Sequence, residues 1–497
     1  MINSGSAGAV NIALQAISAA DQDRSKSMES LQTGERINKA GDDVAGVSGA
    51  AKLRGEITAV AQGIRNIGDF GGFLGTAETI HTGAIDILQS MRVLALQSAN
   101  GVNSGNERFS INDQAQNLLT QYRQETTGGN LAARFLVDGS FSDKQLTLGA
   151  GDDKSLNISI RSIQLPDIGR FSNGTEASMS FTTGAGAATG PIQSGAVFRV
   201  NSLGKTAEAT LEQGMSARQL ADKLRSNGGE SLAAAGVELI ATTQVKLISL
   251  AAGNMEFKLN GVSVGGIVGA DGDLTNLSSQ LNAQSNRTGV TASLDASRTS
   301  LTLTDARGNN ISLSDFQSSD GARLELTALE DGADAGATSG IHTGVLESGG
   351  NLGATITGRL TLLGHENISI MQTANTGAGQ GFVEGDLKNS TFESLGSVDL
   401  STAEGAMKAV SILDHSIARV ETGRGRLGAT QNTLDSLTRG LGRLQTNLES
   451  SHAYIMGADM AKEVSHYAQS RIMLNAAQAM LGQGMKVQSQ FLNLLQG

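Results

Sequence analysis

The residues that could do chemistry are few and scattered. Six histidines, His81, His342, His365, His415, His452 and His466, are spread over 497 residues, and none stands in the HExxH spacing that puts two metal ligands on one helix face. Cysteine is absent, which removes thiolate nucleophiles, zinc thiolate sites and disulfides together. Asp271-Gly272-Asp273 and Asp331-Gly332-Ala333-Asp334 have the composition of calcium loops, but turns use the same residues, and no glutamate follows at the distance a bidentate ligand requires. The run Gly377-Ala378-Gly379-Gln380-Gly381 lacks the preceding strand and following lysine of a phosphate loop. Asn157-Ile158-Ser159 and Asn173-Gly174-Thr175 match the N-glycosylation acceptor, as chance provides in a chain rich in Ser, Thr and Asn. These patterns predict no catalytic site, no cofactor and no metal, and move the search for function to surfaces.

Charge narrows those surfaces. Acidic side chains number 48 against 37 basic ones, for a formal charge of −11, and no long Lys/Arg run is present, which argues against nucleic acid and anionic membranes as partners. The N-terminal stretch MINSGSAGAVNIALQAISAADQDR has no basic start and no unbroken apolar core, and no 18-residue apolar run occurs, so neither a standard cleaved signal nor a membrane anchor is expected. The length suggests three or four domains at ~150 residues each. The two prolines, Pro166 and Pro191, stand clear of both ends, as continuous helices there require.

The elements that must position any functional surface are written in the hydrophobic period. Ala406, Leu413, Val420, Leu427, Leu434, Leu441 and Leu448 recur every seven residues, with Val410, Ile417, Leu437 and Leu444 between them. Such a stripe describes a helix roughly 65 Å long at ~1.5 Å per residue, too long to bury its seam against itself. A matching stripe, Phe73, Ile80, Ile87 and Leu94, with Ala77, Ala84 and Met91 between, lies near the N-terminus, preceded by Ile57/Ile64 and Val60/Ile67. The glycines of Arg65-Asn66-Ile67-Gly68-Asp69-Phe70-Gly71-Gly72 predict a break there, giving two helices, roughly 43 to 65 and 73 to 99.

The middle, roughly 136 to 395, changes period. Short alternating runs such as Leu146-Thr147-Leu148, Leu156-Asn157-Ile158-Ser159-Ile160 and Leu301-Thr302-Leu303-Thr304 are separated by Gly, Asn, Asp and Ser, the pattern of strands and turns. A degenerate repeat runs through it. Phe198-Arg199-Val200-Asn201 and Phe257-Lys258-Leu259-Asn260 each open a unit, and helical pieces follow around Leu220/Leu224 and Leu277/Leu281. Paired strands close each unit, Val237–Ile240 with Lys246–Ile248 in the first and Val290–Leu294 with Leu301–Leu303 in the second, so a strand, helix and hairpin module is used twice. Arg359–Leu362 with Ile368–Ile370 gives a third, partial echo.

Two long seams some 300 residues apart most economically cover each other, with the strand-rich middle inserted between them. The outermost segments, about 1 to 40 and 455 to 497, are apolar but thinly patterned, with Val10, Ile12, Leu14, Ile17, Met28 and Leu31 at one end and Met460, Val464, Tyr467, Leu474, Leu481, Met485, Leu492 and Leu495 at the other. Exposed termini of this kind are frayed, buried between repeated subunits as a helical filament, or closed into an intramolecular bundle. Periodicity alone leaves these open.

The residues of both ends resemble those of the bacterial flagellin family. Glu29-Ser30-Leu31-Gln32-Thr33-Gly34-Glu35-Arg36-Ile37-Asn38-Lys39-Ala40-Gly41-Asp42-Asp43-Val44-Ala45-Gly46 is similar to that family's strongest N-terminal block. Arg92 with Leu94-Ala95-Leu96-Gln97-Ser98-Ala99-Asn100, the turn Leu136-Val137-Asp138-Gly139-Ser140-Phe141, and Arg426-Leu427-Gly428-Ala429-Thr430-Gln431-Asn432 resemble further family segments. The repeated module resembles the insertion motif of flagellins and hook-associated proteins, in Phe257–Gly261 through Gly289–Ser293 to Ile311.

The resemblance implies an α+β fold, with a long α-helical coiled-coil or bundle core formed by both termini and strand-rich α+β outer domains inserted in the middle. Residues 1–42 and 451–497 would form the inner helix pair, 43–175 and 396–450 the helical rod with its hairpin, and 176–395 the outer domains, with repeats at about 195–255 and 256–315 and a partial third at 320–395. It chooses the filament among the alternatives above, and implies a non-enzymatic structural subunit, exported through the flagellar channel and self-assembled outside the cell. Leu31, Arg36, Ile37, Asn38, Asp42, Asp43, Ile80, Ile87, Leu94, Leu413, Val420, Leu427, Leu434, Leu441 and Leu448 are then the residues expected in polymerisation and core packing. Further copies of itself, an export chaperone, the export gate, the filament cap and the hook-filament junction proteins are the implied partners, with Leu474, Leu481, Leu492 and Leu495 masked by the chaperone. The hairpin after Asp138-Gly139 and the helices of 43 to 99 and 406 to 448 are the elements it nominates for switching between subunit packings.

The segment that a vertebrate innate receptor reads in this family usually bears two arginines and a glutamate over the equivalent of 89 to 97. Here Ser90, Arg92 and Leu94 stand in it without an acid, and Gln114 replaces a common acidic residue, so weak recognition is expected. The alternatives are a hook-filament junction protein, which shares both ends, and a filament whose long insert carries an enzyme.

Overall fold

The computed structural model describes residues 3–127, 131–149, 155–319, 321–329, 343–373, 381–383 and 387–495, with the side chains of 3–7, 9, 131–133, 488 and 491–495 outside the description. The heptad-patterned ends are helical: α1 (Asn3–Thr33), α2 (Val44–Ala99), α3 (Gly105–Thr127) and α4 (Leu131–Val137) precede the middle. Within the middle stand α5 (Ala217–Ala234), α6 (Thr275–Ala283) and the single turn α7 (Ser285–Thr288), and α8 (Ala403–Met456) and α9 (Met460–Leu495) close the chain.

The expected break at 66–72 is absent, and α2 is one helix through the glycines. Each helical glycine costs ~1 kcal/mol relative to alanine, yet Ile67, Phe70 and Leu74 are buried on one face. Gly68, Gly71, Gly72 and Gly75 point where an added Cβ would meet nothing. Tertiary burial on one side of the helix outweighs weak propensity on the other.

The chain divides into two compact units. The first comprises Met1–Thr76, Phe141–Ile160 and Arg426–Gly497, and the second Ala77–Ser140 and Arg161–Gly425. In the first, α1 packs along α9, and the hairpin β1 (Lys144–Thr147) and β2 (Ser155–Ile158) lies on α2. Its seat is Gly63, where a Cβ would come within 2.1 Å of the Leu148 carbonyl oxygen. Asn66 Nδ2 donates to the Thr147 carbonyl at 3.0 Å, and Phe70 stacks on Phe141 with ring centroids 5.7 Å apart.

The second unit carries the strand-rich middle, which begins with β3 (Gly169–Gly174) and β4 (Ser178–Thr182). The first module is the hairpin β5 (Val197–Ser202) and β6 (Lys205–Thr210), helix α5 and strand β7 (Glu238–Ser249). The second is the hairpin β8 (Gly253–Leu259) and β9 (Val262–Val268), helix α6 and the hairpin β10 (Thr291–Leu294) and β11 (Ser300–Asp305). Equivalent core positions are filled alike: Phe198 and Phe257, Val200 and Leu259, Leu220 and Leu277, Leu224 and Leu281 are all buried. Each opening strand proves to be half of a hairpin. The turn of the second, Asn260-Gly261, holds both residues in the left-handed region that a two-residue hairpin loop needs, as does Leu203-Gly204 in the first.

Two expectations are corrected here. The paired strands Val237–Ile240 and Lys246–Ile248 are one twelve-residue strand, β7. Its first half pairs with β16 (Arg359–Gly364) and its second with β11 and β13 (Arg323–Ala328). Leu239 lies in the first module's core and Val245 and Leu247 in the second's, so β7 joins the two cores. The strands of the partial third echo, β16 and β17 (Ile368–Gln372), do not form a hairpin: β16 lies between β7 and β3, while β17 lies between β5 and β18 (Leu387–Asn389). They complete the first module's core, where Leu360, Leu362, Ile368 and Ile370 are buried. The remaining strands, β12 (Ile311–Ser318), β14 (Thr343–Glu347), β15 (Gly353–Thr357) and β19 (Thr391–Ser394), extend these sheets.

Candidate assembly interface

The block Glu29–Gly46 folds as a corner that clasps the junction of α8 and α9. Helix α1 ends at Thr33, and Gly34, in the left-handed region at φ 72°, turns the chain out of it. Arg36 N donates to the Met456 carbonyl at 2.6 Å, Ala458 N to the Gly34 carbonyl at 3.0 Å, and Arg36 Nη2 to the Ile455 carbonyl at 3.0 Å. Asp42 Oδ2 accepts from the backbone of Asn38 and Lys39 at 3.1 and 3.0 Å. Lys26, 3.1 Å from Asp42, is first among the contacts that hold its carboxyl below the usual carboxylate range. Asp43 Oδ1 accepts from Gly46 N at 2.8 Å, capping α2. Ile37 is buried beneath the loop, in contact range of the place where a Gly46 side chain would stand. The chemistry of this block is backbone pairing and capping, and it fixes where one helix pair hands over to the next.

Beyond the corner, the α1/α9 pair is filled with small side chains. Ala13, Ala20 and Ser27, seven apart on α1, are buried, as are Ser470, Leu474 and Ala477 on α9. Small residues let the two backbones approach closely, and among the described side chains Leu474 is the one bulky residue buried in the seam. Ile12 and Ile472 are each 68% exposed, and Leu14, Met28, Met460, Val464, Met473, Met480, Met485 and Val487 are exposed beside them. At ~25 cal/mol per Å2 their exposed apolar surface favours burial, and exposed apolar side chains gathered on one helix pair are candidates for a contact surface.

The expected site residues fall into groups. Ile37, Ile80, Ile87, Leu413, Val420, Leu427 and Leu434 are buried within the subunit, and Leu31, Leu94, Leu441 and Leu448 are half-buried. Arg36, Asn38, Asp42 and Asp43 build the corner. Of the C-terminal set, Leu474 is in the seam and Leu481 half-buried, while the side chains of Leu492 and Leu495 lie outside the described residues. Ile472, Met473, Met480 and Val487 were not singled out in the sequence. Their signal is the seven-residue recurrence of small residues on the opposing α1, which a search for large apolar residues passes over.

In the second unit, Ser90, Leu94 and Gln114 come together with Asn117, Leu118 and Gln121 around a groove of about 370 Å3 between α2 and α3. Arg92 is not among them, since it pairs with Asp414 of α8. The opposite-sign pair Glu78 and Arg424, 3.5 Å apart, makes a second tie between the same helices. Asn173 of the sequon is buried, donating to the Ile368 and Lys388 carbonyls at 3.0 and 2.9 Å. Asp273 accepts from Thr275 N at 2.7 Å in an ordinary turn, while 331–334 and 377–380 lie outside the described residues. Among the described residues, no group of three or more His, Asp or Glu side chains could hold a metal, and no helix is long and apolar enough to cross a membrane.

Residues 6–141 match the family model of the bacterial flagellin N-terminal helical region, and 410–495 that of the bacterial flagellin C-terminal helical region. The B-type flagellin of Pseudomonas aeruginosa is 29% identical over 487 residues, covering 96% of each chain. Flagellin A of Helicobacter pylori is 25% identical over 506 residues, covering 94% of each. The solved flagellar hook-associated protein-3 of Legionella pneumophila is 10% identical with a TM-score of 0.34, over 81% of this chain and 97% of that one.

Proposed function

We propose, from the premise that this chain belongs to the bacterial flagellin family and is a structural subunit of the flagellar filament, exported from the cell, that its assembly surface is the large-residue face of α1 and α9. The observation that carries this is the inversion of their packing: mostly small residues fill the seam, around Leu474, and Ile12, Ile472, Met473 and Met480 face outward. A helix pair of this design is complete only when repeated copies cover it, and a repeated heterologous contact grows as a helix.

In this reading 1–42 and 451–497 are the inner pair, 43–175 and 396–450 the rod, and 176–395 the outer strand-rich region. The chain has no catalytic activity. Before export, Leu474, Leu481, Leu492 and Leu495 would be masked by a chaperone, and the export gate, filament cap and junction proteins are the other partners carried over from the family. Recognition by the innate receptor is weak, because Arg92 is engaged by Asp414 and Gln114 offers no charge; full potency of purified subunit in a reporter-cell assay would refute that part. The junction-protein alternative has no observation in its favour, as flagellins match along nearly the whole chain.

Elongation of short filament seeds by purified full-length subunit tests the central claim. Wild-type chain should extend seeds, and the double substitution Ile12→Asp/Ile472→Asp should abolish extension while leaving the helical circular-dichroism spectrum in place. Extension by the double variant at the wild-type rate would refute the surface.

A further inference from the structure

The exposed methionines are concentrated on the α1/α9 pair. Met91, Met179, Met215 and Met255 are buried, as a flexible core filler usually is. On α9, by contrast, Met473, Met480 and Met485 are 56%, 65% and 59% exposed. At ~100° per residue, Met473 and Met480 share one flank of the buried stripe through Ser470, Leu474 and Ala477, and Met485 stands on the other. The thioethers therefore border the seam on both sides, with Ile472 on the outer face between the two flanks.

We infer that Met473, Met480 and Met485 are oxidation sites that gate assembly: a hydroperoxide converts them to sulfoxides in the free subunit and blocks its addition to a filament, while incorporation protects them. The sulfur lone pair attacks the terminal oxygen of the peroxide, the O–O bond breaks, sulfur loses two electrons and gains the oxygen, and the departing hydroxide leaves as water after taking a proton. The product is a polar, strongly accepting group on an otherwise flexible apolar side chain. On a solvated helix face it costs little, so the subunit keeps its fold. Buried against an apolar neighbour without a donor it is penalised, and three such groups act on one contact. The backbone of α9 is unaffected, and the change is reversible by a sulfoxide reductase.

The inference rests on the assembly reading above, and the experiment separates the two. Full-length subunit is treated with hydrogen peroxide, sulfoxides are located by peptide mass mapping, and seeded elongation is timed. We expect sulfoxide at all three positions, retained helicity, and elongation slowed at least ~10-fold, with recovery after reduction by methionine sulfoxide reductases. Intact filaments under the same treatment should keep the three residues reduced. The volume-conserving variant Met473→Leu/Met480→Leu/Met485→Leu should elongate as the wild type does and be indifferent to peroxide. Undiminished elongation of the oxidised wild type, equal loss in the leucine variant, collapse of helicity on oxidation, or equally fast oxidation inside filaments would each overturn the inference alone. A subunit that fails to extend seeds even before oxidation overturns the assembly reading and the inference with it.

Discussion

Two helix pairs in this chain share a seven-residue period and fill it in opposite ways. Where α2 and α8 face each other in the second unit, tied by Arg92 to Asp414 and Glu78 to Arg424, large residues share the inside with alanines: Ile80, Ile87, Leu88, Leu413 and Val420 are buried beside Ala77, Ala84 and Ala406, while Val93 and Met407 stay exposed. In α1 and α9 the inside is mostly small, Ala13, Ala20, Ser27, Ser470 and Ala477 beside Leu474, and the other large residues stand at the edges or outside. The first arrangement buries most of its large apolar residues within one chain. The second spends its seam positions on close approach and leaves the surplus exposed, which makes sense only for a surface that is covered later. Period identifies a helix that packs, and side-chain size at the buried positions tells whether packing is finished.

The strongest way to break this comparison is to remove a large residue from the finished pair. Leu413 is fully buried, so Leu413→Ala should destabilise the second unit by ~2–5 kcal/mol through lost burial and the cavity left behind. Chemical denaturation of the free subunit measures this. A loss below 1 kcal/mol would mean that this seam is no better packed than α1/α9.

The converse change places a large residue in the small-residue seam. Ala20 is 2% exposed, and Ala20→Leu should push α1 from α9 at a cost of ~1–3 kcal/mol, seen as faster hydrogen exchange along both helices. An unchanged exchange pattern would show that the seam has room to spare.

These contrasts explain which parts of the fold were legible. The stripe from Ala406 to Leu434 could be read because it is made of large residues, and they are buried. The glycines at 68, 71 and 72 misled because propensity is local, whereas Ile67, Phe70 and Leu74 hold the helix through contacts that sequence does not display. Strand β7 was divided in two because Ala241-Thr242-Thr243-Gln244 has no large apolar residue, yet backbone pairing to Arg359 on one side of that stretch and to Asp305 and Leu303 further along makes it continuous. The corner Glu29–Gly46 was found by its residues, but its pairing with Met456 crosses some 420 positions and is invisible locally. Ile472 and Met480 were missed because their importance is set by what lies opposite, the alanines and serine of α1.

Acidification should separate the two pairs more gently. Burial is the largest influence on His365 and His81 and lowers the pKa of each; Glu366 opposes it at His365, where His415, Arg419 and Arg161 add to it, and Arg424 lowers while Glu78 and the Ala77 carbonyl raise the value at His81. A histidine whose folded pKa lies below its unfolded value is protonated more readily in the unfolded chain, so its contribution is intact above ~6.5 and declines as pH falls below that. Both residues lie in the second unit, while α1 has no histidine and the single one of α9, His466, is exposed. Thermal melts between pH 7.5 and 5 should therefore show the second unit losing stability first, with His365→Gln flattening the dependence. Equal loss in the variant would remove His365 from the account.

The sharpest test has the smallest effect on the subunit. Ile472 is 68% exposed, so Ile472→Ala removes almost no internal contact and should shift the stability of the free chain by no more than ~0.5 kcal/mol, as surface substitutions usually do. If assembly buries that side chain, the same change forfeits ~1.5–3 kcal/mol of transfer free energy at each contact. Seeded elongation should then need a subunit concentration about tenfold or more higher. Leu413→Ala predicts the reverse partition, a large loss in the free subunit with no dependence on seeds. Measuring both variants in both assays separates a residue that holds the subunit together from one that holds subunits to each other, and a matching profile for the two would mean that the inverted packing of α1 and α9 has no bearing on the filament.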